Sequence, residues 1–275
     1  MSKEIVAVDI GGTYMRFALI KNGKVEFYNS KDTPKTKEKI LELLCDGIKE
    51  YKNDIEGIGV SCAGVIENGI IRISPNLPLK NFNIKKYIQK KFKSQVKIEN
   101  DANCAAIAEA KLGVKKKNFI ILTLGTGIGG GIIIDGKLYT GRGSGGELGH
   151  IVINDGKDLE YFAGTKAIKR LIKKYCRLNP EYNYQVINIL NEKSVRSEKI
   201  KDEIAEYIGM GIASLISVFD PEIVVLAGGL RNLGESFLNK IKARTKKYAF
   251  LPRNPRIVWT KLKHPNLLGA SLLFD

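Results

Sequence analysis

Several features are scarce in this 275-residue chain, and each shortage narrows what it can be. No stretch approaches the roughly 18 consecutive apolar residues that a membrane helix needs, and the main apolar runs, such as Phe119–Leu124, are strand-sized. No signal peptide opens the chain, because Ile5-Val6-Ala7-Val8 leads straight into a polar, glycine-rich turn. The four cysteines, Cys45, Cys62, Cys104 and Cys176, form no C-x-x-C pair and read as buried or free thiols of a reducing cytosol. Histidine is limited to His150 and His264, and no cysteine lies between residues 105 and 175, so no structural zinc is expected. Acidic residues are outnumbered, 29 Asp+Glu against 45 Lys+Arg, which leaves a net charge of +16. Such a balance invites a nucleic-acid reading. Yet Ile84, Tyr87, Ile88 and Phe92 recur at helical spacing through the densest basic stretch, which sends its lysines to a solvated face. No zinc-finger or RNA-recognition motif is present, and an anionic nucleotide would be drawn by the same field.

What is there is ordinary for a soluble enzyme: 44% apolar and 27% charged residues, enough for one or two domains. Strand-like runs at 5–9, 15–21, 25–29, 57–61 and 96–99 alternate with helical patterns at 35–52, 81–92 and 102–112. The pattern restarts with a strand at 119–124 and another at 132–134, so the boundary is expected near 115–118. Helices at about 159–176, 184–191, 200–219 and 233–248, a strand at 223–227 and a C-terminal helix at 266–274 complete an α/β plan.

Three glycine turns end apolar strands: Gly11-Gly12-Thr13, Gly125-Thr126-Gly127 and Gly228-Gly229. Glycine lets backbone amides approach phosphate oxygens, and the hydroxyls of Thr13 and Thr126 add donors. None has P-loop spacing, and the Gly125-x-Gly127-x-x-Gly130 letters are followed by a strand, not a helix. Each turn taken alone also reads as a plain hairpin. Asp9 closes the first strand, where it could hold Mg²⁺ through water or serve an Asx-turn. Asp101 stands where a strand gives way to a helix; it is a good N-cap, and it is also where α/β sheets place their chemistry.

Asp9-Ile10-Gly11-Gly12-Thr13, Glu99-Asn100-Asp101-Ala102-Asn103, Leu124-Gly125-Thr126-Gly127-Ile128-Gly129-Gly130 and Gly146-Glu147-Leu148-Gly149-His150 occur in that order. Together with Ser74-Pro75-Asn76-Leu77 and Gly228-Gly229 they resemble the ROK family of sugar kinases, within the actin, hexokinase and heat-shock ATPase superfamily. The resemblance implies a two-domain, hexokinase-like (ribonuclease H-like) α/β fold with a cleft between domains. Residues 1–117, joined by a C-terminal helix at 264–275, would form one domain and 118–263 the other. It implies ATP as co-substrate with Mg²⁺, and phosphoryl transfer to a hexose hydroxyl, such as O6 of glucose or an N-acetylhexosamine. Asp9, Gly11, Gly12, Thr13, Gly125, Thr126 and Gly127 would hold the phosphates, with Gly228 and Gly229 beside the adenosine. Asn76, Asn100, Asp101, Glu147, His150 and Glu160 would line the sugar pocket, with Asp101 as general base. The expected partners are thus a hexose and a nucleotide, with no nucleic acid and no membrane; a homodimer is left open.

Two departures stand out. Family repressors carry an N-terminal winged helix-turn-helix, whereas the first strand here begins at about Glu4, which favours the kinase branch over a non-catalytic sugar- or nucleotide-binding regulator. Many members also carry a C-x-C-G-x-x-G-C-x-E zinc segment after the Gly-His pair. Here residues 151–159 are short and hold no cysteine, leaving open what positions His150 and Glu160. Structural alternatives stand beside both: a satisfied histidine for His150, a helix first-turn acid for Glu160. Glu147 could likewise be a surface-loop carboxylate.

Overall fold

The computed structural model describes residues 4–51 and 55–275, so residue 52 of the first expected helix lies outside the described residues. The chain divides into two compact units: 1–115 with 138–145 and 262–275, and 116–137 with 146–261. The sequence pattern puts residues 138–145 with the second domain; by packing they group with the first unit.

The first unit holds β1 (Glu4–Ile10), β2 (Tyr14–Lys21), β3 (Lys24–Asp32), α1 (Lys37–Lys49) and β4 (Gly57–Cys62). A short hairpin, β5 (Val65–Glu67) and β6 (Ile70–Ile73), leads to α2 (Ile84–Phe92), β7 (Gln95–Asn100) and α3 (Asp101–Lys111). The sheet runs β3-β2-β1-β4-β7, antiparallel across β3-β2-β1 and parallel from β1 to β7. Helix starts follow side-chain caps: Thr36 accepts the Lys39 amide ahead of α1, and Asn83 accepts the Lys86 amide ahead of α2. In α2, Ile84, Ile88 and Phe92 are buried while Lys86, Lys90, Lys91 and Lys93 are exposed.

The second unit holds β8 (Phe119–Leu124), β9 (Ile128–Ile134), β10 (Lys137–Leu138), β11 (Val152–Asn154), β12 (Lys157–Asp158), α4 (Leu159–Ala163) and α5 (Thr165–Cys176). It continues with α6 (Asn183–Asn191), α7 (Val195–Phe219), β13 (Ile223–Ala227), α8 (Gly234–Tyr248) and β14 (Arg256–Trp259). Its main sheet, β10-β9-β8-β13-β14, repeats the plan of the first: an antiparallel hairpin, then two parallel strands. Helix α7 starts at Val195, not 200, because Ser194 caps it by accepting the Ser197 amide. The helix expected over 159–176 is two helices, since Gly164 takes an extended conformation between them.

The last helix, α9 (Pro265–Leu272), belongs to the first unit. One face of that unit's sheet packs Val6, Val8, Ile58 and Val60 against Ile40, Leu44, Ile84 and Ile88 of α1 and α2. The opposite face carries small residues, and there Ala7 and Ala18 meet Cys104 and Ala108 of α3 and Leu267, Leu268 and Ala270 of α9. A methyl group on Gly59 would overlap the backbone carbonyl of Ala270. Strand propensity alone makes Gly59→Ala stabilising. The packing predicts the opposite, a loss of about 1–3 kcal/mol from overpacking, read as a lowered Tm in thermal unfolding.

Candidate active site

In the first unit, the parallel register sets Asp9 beside Ser61 and Ser61 beside Glu99 at the C-terminal ends of β1, β4 and β7. That end of a parallel sheet is where α/β folds place ligands. Asp9 is buried, and its carboxylate is fully engaged: Oδ1 accepts from Ser61 Oγ at 2.8 Å and Asn266 Nδ2 at 3.3 Å, while Oδ2 pairs with Arg16 at 2.8 Å. A buried carboxylate needs such a partner to stay ionised. Arg16 was absent from the sequence-predicted set, yet it was findable, because counting outward from the Gly12-Thr13 tip pairs Asp9 with Arg16 across the hairpin.

The first glycine turn is the tip of that hairpin, with the Gly11 amide donating to the Tyr14 carbonyl at 3.0 Å. Thr33 holds it from outside. Its amide donates to the Thr13 carbonyl at 2.9 Å and its hydroxyl to the Gly11 carbonyl at 2.6 Å. Asn76 lies directly on the turn: a Cβ on Gly12 would come within 2.6 Å of the Asn76 Cβ, so only glycine fits there. At the head of α3, Asn100 is the cap. Its side-chain oxygen accepts the Ala102 and Asn103 amides at 2.9 and 3.1 Å, and its nitrogen donates to the Gly64 carbonyl at 3.0 Å. The sequence pattern offered Asp101 for that capping role; the structure puts Asp101 one residue inside the helix, in its first turn. Asp9 and Asp101 act on two buried thiols, and Glu99 on one of them. Burial first, then Asp101 and Asp9, push the Cys62 thiol well above its usual range. Burial, then Glu99, Asp9 and Asp101, do the same to Cys104.

In the second unit, the turn Gly125-Thr126-Gly127 links β8 to β9 and is held in the same way by Thr165. The Thr165 hydroxyl donates to the Gly125 carbonyl at 2.7 Å and its amide to the Thr126 carbonyl at 3.2 Å. The parallel register Ala227–Thr123 sets the third glycine turn beside this one. Gly228 has φ +94° and sits on the Leu124 carbonyl, a place a side chain cannot take, while Gly229 is open. Glu160, on α4, reaches the second turn as well: its Oε2 accepts the Ile128 amide at 2.8 Å. A cavity of about 200 Å³ there is lined by Thr126, Asp158, Glu160, Lys166 and Arg170, among others.

Glu147 and His150 flank a short 3-10 turn, Leu148–His150. Burial raises the Glu147 carboxyl above its ordinary value, with Glu160 adding to it and His150 opposing. His150 Nδ1 lies 2.8 Å from Asp158 Oδ2. That bond raises the His150 pKa against its partial burial, and the charges of Glu160, Asp158 and Glu147 add to it. Asp158 feels burial most, but the His150 ring and the Tyr161 amide together hold its carboxyl below the usual range. Thr33, Thr165 and Asp158 escape sequence reasoning for one reason: each acts through a tertiary neighbour, and no local pattern marks it.

Among the described residues no group of three or more His, Cys, Asp and Glu side chains is placed to hold an ion. Asp9, expected to reach Mg²⁺ only through water, already gives both oxygens to Arg16, Ser61 and Asn266, which leaves little room for direct coordination, and none was expected. Chelation of divalent ions is therefore expected to leave the Tm unchanged in thermal unfolding. Stoichiometric zinc lost together with the fold would contradict this.

The two histidines should titrate on opposite sides of the ordinary imidazole value. His150 is raised by its Asp158 bond, and His264, half-buried and stacked on Tyr28, is lowered by desolvation and by Lys263 and Arg16. Ring-proton NMR checks the order. For the His150–Asp158 pair the sign is fixed at both ends: its stabilisation is lost as pH rises through the raised pKa of His150 and as pH falls through the lowered pKa of Asp158.

The ROK family model, described as "ROK family", matches residues 5–275. A glucokinase of Halalkalibacterium halodurans is 31% identical over 287 residues, covering 90% of this chain and 86% of that protein. A xylose repressor of Caldicellulosiruptor bescii is 33% identical over 297 residues, covering 94% and 74%. Among solved structures, the ROK family glucokinase from Streptomyces griseus in complex with glucose and AMPPNP superposes with a TM-score of 0.89 at 26% identity, covering 98% of both chains. The mixed α/β architecture is thus the actin/hexokinase-like fold of ROK glucokinases. With the family matched over nearly its whole length, the chain belongs to the ROK family.

Proposed function

We propose that this protein is an ATP-dependent hexose kinase, with Asp101 as its general base. The observation that carries this reading is the division of labour at the head of α3. Asn100 is the cap, accepting the Ala102 and Asn103 amides; Asp101, which shares only the Ala102 amide at 3.0 Å, follows directly on the C-terminal end of β7, the strand end where α/β folds place ligands. The likeness to a ROK glucokinase solved with glucose and a nucleotide analogue supports it.

In this reading a carboxylate at Asp101 accepts the proton of a sugar hydroxyl as that oxygen attacks the γ-phosphorus. The new P–O bond forms, the bond to the ADP leaving group breaks, and the proton stays on Asp101 until solvent removes it. Mg²⁺ enters with the nucleotide, as part of the substrate. The amides of Gly11–Thr13 and Gly125–Gly127 neutralise phosphate charge, because Thr33 and Thr165 occupy the turn carbonyls that would otherwise repel it. Gly228 and Gly229 receive the nucleoside. Asn76, Glu147, His150 and Glu160 supply sugar contacts. Glu160 keeps one oxygen for this, since the other accepts the Ile128 amide. Asn100 acts here mainly through its cap, with its amide oxygen already spent on two donors.

A second reading, a sugar- or nucleotide-binding regulator without turnover, is favoured by the likeness to a xylose repressor. ADP release measured over a panel of hexoses and N-acetylhexosamines with Mg-ATP separates the two: the kinase reading expects sugar-dependent release, and the regulator reading expects sugar binding without it. Asp101→Asn should lower kcat by roughly 10²–10⁴-fold. Its Tm should stay within a few degrees, because the cap at Asn100 is untouched, asparagine keeps an oxygen for the Ala102 amide that Asp101 Oδ1 accepts at 3.0 Å, and the first-turn charge–dipole contact is worth about 0.3–1 kcal/mol. A variant that keeps kcat within about threefold of wild type would remove Asp101 from the role of base.

A further inference from the structure

We propose that Asp158 is a positioning residue for His150: it takes the Nδ1 proton of the ring and so presents the Nε2 edge to the hexose as a fixed acceptor. The inference deepens the kinase reading above and rests on it for the identity of the ligand.

Geometry makes the assignment. An ionised carboxylate can only accept, so a ring nitrogen 2.8 Å from Asp158 Oδ2 must carry hydrogen. In a neutral imidazole the other nitrogen then bears the lone pair. Asp158 itself has little freedom. Its backbone ends β12, paired with Val152 of β11, and its second oxygen caps α4 by accepting the Tyr161 amide at 2.8 Å. The hairpin turns at Asp155-Gly156, both with positive φ (45° and 67°), as tight two-residue turns require. Because β11 begins two residues after His150, this hairpin brings the chain back over eight residues and sets the carboxylate against the ring.

His150 needs such a hold. Half of its side-chain surface is exposed, and Glu147 and Glu160 also face it electrostatically. An unanchored ring could turn either nitrogen toward either carboxylate. One hydrogen bond to Asp158 selects both the rotamer and the tautomer. The same residue heads the helix that carries Glu160, so the two expected sugar contacts share one anchor.

The test uses the full-length protein with ¹⁵N-labelled histidine, whose two rings are separated by comparison with His264→Asn. Above its pKa, wild-type His150 should be the Nδ1–H tautomer without any ligand present. Asp158→Ser keeps a good N-cap but is too short to reach the ring, so the tautomer preference should vanish while the Tm stays near wild type. The hexose KM should then rise roughly two- to tenfold, the worth of one hydrogen bond, with the ATP KM unchanged. Asp158→Asn keeps its one carbonyl oxygen on the Tyr161 amide and turns an NH2 group to the ring, which can only donate to Nδ1, so it should invert the tautomer to Nε2–H and raise the hexose KM as Asp158→Ser does, while lowering the pKa of His150 through the lost charge. An Nε2–H tautomer in the wild type would overturn the proposal, as would a preference that survives Asp158→Ser. An Asp158-dependent tautomer with no hexose phosphorylated supports the positioning role and instead overturns the kinase reading, because the NMR result needs no turnover.

Discussion

A tight turn that offers its amides to an anion has to dispose of its own carbonyls, and here each of the first two glycine turns depends on one threonine for that. Thr33 donates its hydroxyl to Gly11 and its amide to Thr13; Thr165 donates its hydroxyl to Gly125 and its amide to Thr126. Without those donors the carbonyl dipoles would rotate freely, and some would point where the proposed kinase reading puts phosphate oxygens. The same side chain chemistry at matching turns of the two sheets shows that the repeat extends below strand order, to the hydrogen bonds that make each turn usable.

The rest of the site is arranged around acids whose charge is managed in different ways. Asp9 is deeply buried and is answered by a guanidinium and two further donors. Glu147 is left with burial raising its pKa, and Asp158 is held ionised by the ring it orients. Three carboxylates of similar intrinsic strength therefore take separate roles because their neighbours differ.

Much of this was legible in the residues. Glycines that end apolar strands located all three turns, and alternating strand and helix patterns gave the α/β plan that the sheets display. What escaped has a common physical origin. Asn100 and Asp101 are both good caps and adjacent, and only the way β7 runs into α3 decides between them. Threonines at 33 and 165 look like any loop residue until the turn folds back beside them. The two strands of the β11–β12 hairpin are three and two residues long, too short for periodicity, although its Asp-Gly turn was a usable signal. Positions fixed by local chemistry could be read; positions fixed by what packs against them could not.

The cysteines carry a practical consequence. Cys62 and Cys104 sit under the acid cluster, where burial and surrounding negative charge keep them protonated, and Cys45 is buried with its sulfur against the Tyr87 hydroxyl. A thiolate, not a thiol, is what alkylating reagents attack. Cys176, the last residue of α5, is the one partly exposed sulfur of the four. The native chain thus comes supplied with a single addressable handle in its second unit, and a fluorophore or spin probe can be attached there without first engineering the others away.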